Sequence, residues 1–196
     1  MKIVGLTGGI GSGKTTVANF FSAYKNVAIY IADQEAKQLM NSSVAIKEKL
    51  IQNFGEQSYS NGILNRKYIA DIVFNDKEKL TQLNAIVHPE VKKHFQNFIK
   101  INAQKEYIIY ENAILFESKS NLFCDIIITV FAAINTKIKR VISRDKSSEK
   151  EVLNRMKNQW KDDKKMLQSN YVICNENLDE TKKSVHKIHN ILTVKS

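Results

Sequence analysis

The feature that most constrains this chain is a glycine-rich segment near its N-terminus. Residues 8–15 read G-G-I-G-S-G-K-T, a complete match to the phosphate-binding pattern G-x-x-x-x-G-K-[S/T], and are called the phosphate loop below. The apolar run Ile3–Leu6 comes before it, and the segment Thr16–Phe21, which we predict to be helical, follows it. Strand, loop and helix in that order are the context in which this pattern cradles phosphate. The sequence therefore predicts that the chain binds a nucleoside triphosphate, rather than forming a glycine-rich turn without a ligand.

Each position of the phosphate loop has an expected role. The glycines let backbone N–H groups point inward at an anion, and the dipole of the following helix adds to their attraction. Lys14 is expected to reach the β- and γ-phosphates, and the Thr15 hydroxyl to bind Mg²⁺. The residues predicted to contact the nucleotide here are Gly9, Ile10, Gly11, Ser12, Gly13, Lys14, Thr15 and Thr16.

Composition limits the setting of such a site. The 196 residues suffice for one well-buried core but not for two complete α/β domains, and one proline with seven glycines leaves no room for a Pro/Gly-rich linker. No apolar run approaches the ~18 residues of a membrane span, and no signal peptide precedes the first strand. Cys124 and Cys174 show no metal or redox spacing. We therefore expect a cytoplasmic protein with reduced thiols.

The net charge of +10 raises the alternative of a nucleic-acid partner. The 30 basic residues include four arginines, which leaves 26 lysines, and acidic residues are interleaved with them. No basic stretch carries the aromatic residues that would stack bases. A solvated lysine surface is the favoured interpretation, so we expect no nucleic-acid partner and no membrane partner.

Three of the arginines fall close together, at Arg140, Arg144 and Arg155. Arginine carries a planar fork of donors that can grip a phosphate at two points, which lysine cannot do. Arg140 and Arg144 are one helical turn apart, so a helix places them on one face. Beside a phosphate loop we interpret the cluster as a phosphate clamp, with ordinary surface arginines as the alternative.

The rest of the chain alternates apolar strands with helical segments, which predicts a parallel sheet covered by helices. The predicted strands are Ile3–Leu6, Val27–Ile31, Tyr107–Tyr110, Asp125–Phe131 and Tyr171–Cys174. The later predicted helices cover residues 34–53, 66–102 with a break at His88–Pro89, 134–144, 149–168, and the chain from about Leu178, on which His186 and His189 are expected to be exposed. Residues 55–62 are expected to form a polar turn.

Acidic residues follow two of these strands, at the sheet edge where ligands of such folds bind. Asp33 follows the second strand and Glu111 the third. We interpret Asp33 as the base that takes the proton of an attacking hydroxyl, with helix capping as the alternative. Glu111 is a second acidic candidate near Mg²⁺, with a simple rim carboxylate as its alternative.

Two absences favour a small-molecule kinase over other proteins with this loop. No D-x-x-G or N-K-x-D pattern follows the strands, which argues against a GTPase switch. The third strand ends Ile109-Tyr110-Glu111, without the aspartate that a mechanical ATPase would carry. The charged stretch Asp145–Gln168, which includes Arg155 and few apolar anchors, is predicted to be a mobile lid.

Further motifs resemble those of the dephospho-coenzyme A kinase family, over residues 1 to about 190. The family patterns L-T-G-G-I-G-S-G-K-[S/T], D-A-D-x-x-A-R, L-N-x-[I/L]-x-H-P and P-L-L-[F/Y]-E correspond to residues 6–15, 31–37, 83–89 and 113–117. The patterns R-x-x-x-R-D, R-x-x-x-Q and A-D-[Y/F]-V-I-x-N correspond to residues 140–145, 155–159 and 169–175, with Lys165 at a further basic position.

The resemblance implies that ATP and Mg²⁺ serve to phosphorylate the ribose 3′-hydroxyl of dephospho-coenzyme A, the last step of coenzyme A synthesis. It implies one kinase unit over residues 1–196 with a three-layer α/β/α fold and a five-stranded parallel sheet. The implied parts are a core (about 1–33, 105–144 and 169–196), a helical substrate-binding subdomain (about 34–104) and a lid (about 145–168).

The resemblance also implies the roles of single residues. Lys14, Asp33 and Arg140 would act in catalysis, and Arg144 and Asn175 would join the phosphate loop in ATP binding. The acceptor would contact Asp33, Lys37, His88, Leu115, Arg140 and Arg155. Without the resemblance, His88 would be interpreted as a surface residue at a helix break.

The chain departs from the family pattern at several positions, but at none of Lys14, Asp33 and Arg140. The pattern has Asp, Arg, Pro, Gln, Asp and Gly at the positions of Ile31, Lys37, Ala113, Lys137, Asn170 and Glu176.

Two rival functions stay open, namely a kinase for another acceptor such as a nucleoside monophosphate or shikimate, and a non-catalytic nucleotide-dependent protein attached to nucleic acid. The preference for ATP over GTP is open, and a monomer is the working expectation.

Overall fold

The structure is a computed structural model that describes residues 1–74 and 76–194. Its strands, in chain order, are β1 (Lys2–Thr7), β2 (Val27–Ile31), β3 (Tyr59–Ser60), β4 (Ile63–Leu64), β5 (Tyr107–Glu111), β6 (Ile126–Phe131) and β7 (Tyr171–Cys174). Its helices are α1 (Lys14–Ser22), α2 (Ala32–Ser42), α3 (Val44–Phe54), α4 (Arg66–Phe74), α5 (Lys77–Ile101), α6 (Ile134–Asp145), α7 (Glu149–Lys157), α8 (Asp162–Leu167) and α9 (Leu178–Thr193). Two 3-10 turns, Glu56–Ser58 and Ser120–Phe123, complete the elements.

The chain forms two compact units. The first is built from Met1–Ile31 together with the chain from Asn102 onward, and the second from Ala32–Ile101. Within the described residues, no helix is both long and apolar enough to cross a membrane.

The first unit contains the predicted five-stranded parallel sheet, which confirms the fold class. Its strand order is β2-β5-β1-β6-β7, so β1 lies at the centre and the phosphate loop leaves the sheet from its middle. The register pairs Leu6 of β1 with Glu111 of β5, and Thr7 with Thr129 of β6. All five residues of β5 are buried, as expected of a strand with helices on both faces.

The second unit is helical, but its first predicted helix is divided. Residues 34–53 were expected to be one helix, whereas α2 ends at Ser42 and α3 begins at Val44. Ser43 causes the break, because its hydroxyl accepts the N–H of Ile46 and caps α3. The predicted turn over residues 55–62 contains the start of a short hairpin, in which Tyr59 pairs with Leu64. Two-residue strands are too short for alternating hydrophobicity to reveal them.

The predicted helix break at His88–Pro89 is wrong. Helix α5 runs for 25 residues with Pro89 in its interior. Proline removes one helical hydrogen bond, but buried residues before and after it, including Val87 and Val91, hold the helix in the core. Within the described residues the predicted zone 66–102 carries two helices, since α4 ends at Phe74 and α5 begins at Lys77. Residue 75 lies outside the described residues. The carboxylate of Asp76 accepts the N–H groups of Glu78 and Lys79 at 2.9 and 3.0 Å and so starts α5.

The segment predicted as the lid, residues 145–168, carries two helices rather than the one expected over 149–168. Ser148 and Glu151 form a capping box at the start of α7, and α8 follows a short gap. The expectation of few apolar anchors needs one correction. Val152 of α7 is fully buried, in a cluster with Ile10 of the phosphate loop and Val141 of α6. Residues 145–168 are called the lid segment below, and their movement stays a prediction.

One histidine of α9 is buried, contrary to the sequence prediction. His189 is 8% exposed, its Nδ1 atom lies 2.7 Å from the hydroxyl of Tyr107, and its ring stacks on Tyr24 at 3.7 Å. His186 is exposed, as predicted. Burial lowers the pKa of His189 below its ordinary value of 6.5, with His186 adding to this and Glu106 opposing it. The folded protein therefore favours neutral His189.

We expect this histidine to make the protein less stable in mild acid. Since the unfolded chain takes up the proton more readily, the contribution of His189 to the free energy of unfolding is complete above about pH 6.5 and is lost as the pH falls through the lowered pKa. Urea unfolding between about pH 7.5 and about pH 5.5 measures this loss. The wild-type protein should lose more stability than the His189→Gln variant, and His186→Gln, which removes only a smaller cause of the shift, should lose nearly as much as the wild type. Equal losses in wild type and His189→Gln would contradict the assignment.

Candidate active site

The phosphate loop is pressed so closely against its neighbours that a side chain does not fit at Gly8, Gly11 or Gly13. Gly11 and Gly13 have φ values of +80° and +90°, which residues with a side chain rarely adopt. A Cβ atom on Gly11 would lie 2.5 Å from the carbonyl oxygen of Lys137, and one on Gly13 would collide with Nδ2 of Asn175. The backbone of the loop is therefore shaped by α6 and by the residue that follows β7.

The functional side chains of the loop lie at the start of α1. Lys14 is 9% exposed and its Nζ donates to the carbonyl oxygen of Gly9 at 3.3 Å, so the side chain folds back over the loop. Thr15 is exposed in the first turn of α1, whereas Ser12 is fully buried. The Ser12 hydroxyl has no hydrogen-bond partner among the described residues.

Arg140 of α6 lies beside the loop. Its Nη2 donates to the carbonyl oxygen of Asn175 at 2.9 Å, and its Nη1 is 3.8 Å from the position of a Cβ atom on Gly13. That Nη1 atom is buried and has no hydrogen-bond partner in the part of the chain that the structure describes. Such an unpaired donor is uncommon, because buried donors are nearly always paired.

Asn175, predicted to bind ATP, holds the loop in this structure. Its Nδ2 donates to the carbonyl oxygen of Ser12 at 2.8 Å, and its Oδ1 accepts the hydroxyl of Thr181 at 3.0 Å. Both polar atoms of its side chain are thus engaged in positioning the phosphate loop relative to α9.

The predicted arginine clamp is divided. Arg144 and Arg155 both bind the carboxylate of Asp145, at 2.6 and 2.7 Å, while Arg140 lies at the loop. The hydrogen bonds from Arg144 and then Arg155 hold the pKa of Asp145 well below its usual range. A phosphate that bound Arg144 or Arg155 would therefore have to compete with Asp145 or use their remaining N–H donors.

Two residues of the lid segment contact the loop. Gln159 accepts the backbone N–H of Ile10 through Oε1 at 2.9 Å, and Asp162 forms an ion pair with Lys137 beside Gly9. The motif match predicted Gln159 to belong to the lid, but not its contact with the loop. For Lys137 and Asp162 the only sequence signal was that Lys137 departs from the family pattern.

A buried ion pair joins α8 to the segment after β5. Lys165 is fully buried, donates to the carbonyl oxygen of Ala113 at 2.6 Å and lies 3.1 Å from Oε1 of Glu117. Burial lowers the pKa of Lys165, and the nearby Glu117 carboxylate opposes that shift. Leu115 is also fully buried, against Gly5 of β1. Any contact of Leu115 with an acceptor would therefore have to use its backbone.

The acidic candidates lie on two different elements. Glu111 ends β5 and is 4% exposed, next to the strand that leads into the phosphate loop. Asp33 is exposed in the first turn of α2, two residues after β2 ends. Because α2 begins at Ala32, Asp33 lies inside the helix rather than at the capping position before it. Lys37 of α2 and His88 of α5 are also exposed, and all three residues belong to the second unit.

Two of the residues that depart from the family pattern make hydrogen bonds that support local structure. Asn170 accepts the N–H of Ile127 at 2.8 Å through its side-chain oxygen, a bond that the aspartate of the pattern would also accept. Glu176 accepts the N–H of Ala133 and the hydroxyl of Thr136, and so caps the start of α6. The hydrogen bond from the Ala133 backbone is the main cause that lowers the pKa of Glu176.

Comparison with known proteins decides the family. The family model described as dephospho-CoA kinase matches residues 2–180. The chain belongs to the dephospho-CoA kinase family. Dephospho-CoA kinases of Chlorobaculum tepidum and Fusobacterium nucleatum are 36% and 35% identical to it, over 98% and 95% of this chain and 96% of each relative. The crystal structure of TT1252 from Thermus thermophilus superposes with a TM-score of 0.89 at 28% identity, covering 99% of this chain and 98% of that one.

Membership of the dephospho-CoA kinase family confirms the resemblance found in the sequence. The family catalyses the ATP-dependent phosphorylation of dephospho-CoA, the last step of coenzyme A synthesis. The chain is therefore a kinase, and the alternative of a non-catalytic binding protein is set aside. ATP use follows from the same membership, while the roles of single residues stay predictions.

Proposed function

We propose that this kinase transfers the γ-phosphate of ATP to the ribose 3′-hydroxyl of dephospho-CoA, with Asp33 as general base and with Lys14 and Arg140 stabilising the transferred phosphoryl group. The observation that carries the proposal is the guanidinium of Arg140, whose Nη1 is buried beside Gly13 and has no hydrogen-bond partner among the described residues. In phosphoryl transfer, negative charge spreads over the oxygens of the group in flight, and preorganised cations lower the barrier.

The residues around the phosphate loop fit a magnesium-bound nucleotide. The Thr15 hydroxyl is exposed where α1 begins, and Glu111 brings a carboxylate to the end of the neighbouring strand. We assign Thr15 as the protein ligand of Mg²⁺ and Glu111 as a second acidic candidate near it. When bound, Mg²⁺ would neutralise part of the charge on the phosphate oxygens. Gly9–Thr16, Arg144 and Asn175 complete the proposed ATP site, with Asn175 acting by positioning the loop.

Asp33 is proposed as the base because a carboxylate two residues beyond a strand of this sheet lies at the edge where such folds act on ligands. Lys37, His88, Leu115, Arg140 and Arg155 are the proposed acceptor contacts. Arg155 would exchange Asp145 for a phosphate of the acceptor. The lid segment would close over the bound substrates and exclude water, so that ATP is not hydrolysed unproductively.

An acceptor panel tests the proposed function. The purified protein, ATP and Mg²⁺ are combined with dephospho-CoA, AMP, adenosine or shikimate, and ADP formation and product mass are measured. We expect a product heavier by one phosphate with dephospho-CoA, located on the ribose 3′ position by phosphorus NMR, and slow ADP formation without an acceptor. Faster phosphorylation of AMP or shikimate would refute the acceptor assignment, and rapid hydrolysis without any acceptor would refute the role of the lid. GTP in place of ATP measures the donor preference.

We further propose that the enzyme acts in the cytoplasm as a monomer without a nucleic-acid partner. Free Cys124 and Cys174 and the scattered lysines support this setting. Burial raises the pKa of the Cys124 thiol to about 12, so this thiol is a poor nucleophile. Sedimentation analysis with and without a polynucleotide, at low and high salt, measures the oligomeric state and the binding of nucleic acid. Salt-sensitive polynucleotide binding would refute the proposal that there is no nucleic-acid partner.

A further inference from the structure

Two buried charges outside the proposed mechanism lie against the phosphate loop. Lys137 of α6 and Asp162 of α8 form an ion pair whose side chains are only 9% and 11% exposed. A Cβ atom placed on Gly9 would lie 3.2 Å from Nζ of Lys137 and 2.8 Å from Oδ1 of Asp162. The pair therefore lies directly against the backbone of the loop.

A second ammonium group reaches the same glycine. Nζ of Lys14 donates to the carbonyl oxygen of Gly9 at 3.3 Å, so lysines from α1 and from α6 converge there. Lys14 is the motif lysine, whose function in such loops is to bind phosphate. Lys137 matches it in burial, in charge and in the residue that it touches.

Helix α6 runs along the loop and presents cations at two points. Lys137 and Arg140 are three residues apart, on one helical face. The Nζ atom of Lys137 is close to Gly9, and the carbonyl oxygen of Lys137 is close to Gly11. The Nη1 atom of Arg140 is close to Gly13. One helix face thus follows the loop along most of its length, with an ammonium group near its start and a guanidinium near its end.

Oxygen atoms of the lid segment bind two donors at the phosphate loop. Oε1 of Gln159 accepts the N–H of Ile10 at 2.9 Å, and the carboxylate of Asp162 binds the ammonium of Lys137. Backbone N–H groups of such a loop and nearby ammonium groups are the usual donors to phosphate oxygens. An amide oxygen and a carboxylate oxygen are therefore the acceptors at this end of the loop.

We propose that Lys137 is a further phosphate-binding residue of the nucleotide site, and that the triphosphate displaces Asp162 and Gln159 from the loop when it binds. This inference rests on the proposed function only in requiring that a nucleotide binds at the phosphate loop. A lysine this deeply buried needs a partner, and Asp162 pairs with it and orients it until a phosphate oxygen replaces the carboxylate. The family pattern has glutamine at this position, so Lys137 adds a cation that the pattern lacks.

Binding of ATP, without any acceptor, tests the inference. Lys137→Gln should weaken ATP binding roughly 10- to 100-fold, the effect of losing one charge-assisted hydrogen bond. Binding of inorganic tripolyphosphate should weaken by the same factor, and Lys137→Arg should retain most of the affinity. Asp162→Asn removes the competing carboxylate and should bind ATP at least as tightly as the wild type. Lys139→Gln, an exposed lysine on the same helix, is the matched control and should change nothing.

Trp160 provides the signal for these titrations. It is the single tryptophan of the chain and lies in the lid segment between Gln159 and Asp162. Its ring stacks on Phe116 at 5.5 Å, and Nζ of Lys164 lies 3.4 Å from its centroid. Displacement of the two flanking side chains should change its fluorescence, with calorimetry giving an independent affinity. The double variant Lys137→Gln/Asp162→Asn leaves neither of the two charges unpaired, and a melting curve for each variant tests whether it is folded.

The two single variants separate a phosphate-binding lysine from a structural ion pair. If the pair only held the lid segment in place, Lys137→Gln and Asp162→Asn would weaken ATP binding alike, and that result overturns the inference. Wild-type affinity in Lys137→Gln, or failure of the wild-type protein to bind ATP and tripolyphosphate, also overturns it. A protein that shows the expected binding pattern but phosphorylates no dephospho-CoA would refute the proposed function and leave this inference standing.

Discussion

Replacing Asp33 with asparagine is expected to lower kcat by about 10²- to 10⁴-fold, the usual contribution of a general base. Asparagine keeps the shape of the side chain and removes its ability to take a proton from the acceptor hydroxyl. ATP binding should change little, because the phosphate loop, Arg144 and Asn175 provide the contacts proposed for the nucleotide. Steady-state kinetics with dephospho-CoA, together with ATP titrations of Trp160 fluorescence, measure the two quantities separately.

The control for Asp33 is Asp71→Asn, the same chemical change at an exposed residue of α4 in the same unit. It should leave both kcat and ATP affinity unchanged. A pH profile adds a readout that a structural role would not move, since the acidic limb of kcat/KM should disappear in Asp33→Asn if the carboxylate is the base. Near-normal turnover in Asp33→Asn would remove the assignment, and a variant that binds neither substrate would point to a binding role.

Replacing Arg140 with methionine is expected to lower kcat by about 10²- to 10³-fold, the range found when one preorganised donor to transition-state charge is removed. Methionine keeps much of the length of the side chain but removes its charge and the Nη1 donor that is buried beside Gly13. Arg140→Lys should recover only part of the loss, because lysine restores the charge without the planar fork that also binds the carbonyl oxygen of Asn175. Kinetics at saturating ATP measure the effect on kcat.

Loss of the bond to Asn175 could also disturb the loop, so folding and ATP affinity are measured for both Arg140 variants. Arg66→Met is the control, because Arg66 is exposed at the start of α4 and is the one arginine outside the cluster at 140–155. A fall in ATP affinity with unchanged kcat would assign Arg140 to ground-state binding only. Unchanged kcat and unchanged affinity would show that its unpaired donor has no part in the reaction.

Sequence patterns predicted the strands well, because strand signals are local. The second and fifth predicted strands, Val27–Ile31 and Tyr171–Cys174, match β2 and β7 residue for residue. The break at His88–Pro89 was predicted wrongly because the cost of an internal proline is local, whereas the packing that overrides it involves the whole second unit. His189 was placed on the surface because a polar residue on a helix usually is, and only its partners Tyr24 and Tyr107 reveal its burial.

The candidate site was also predicted only in part from the sequence. The phosphate loop, the arginine cluster and the carboxylates after the strands were found from their spacing and from motif matches. The sequence did not reveal that Arg140 lies at the loop while Arg144 binds Asp145, because the two arginines are one helical turn apart and look equivalent in the sequence. The hydrogen bonds of Glu176 could not be predicted from the sequence either, because its partners Ala133 and Thr136 are about forty residues away.

By itself the sequence determined that this chain binds a nucleotide, how its strands alternate with helices and which family it resembles. These properties depend on residues within a few positions of one another, whose types and spacing can be seen directly. Only the tertiary structure decided which side chains support the loop, with Asn175 on Ser12, Gln159 on Ile10 and Lys137 against Asp162. Those contacts join residues far apart in the chain, and the folding of the sheet and its helices brings them together.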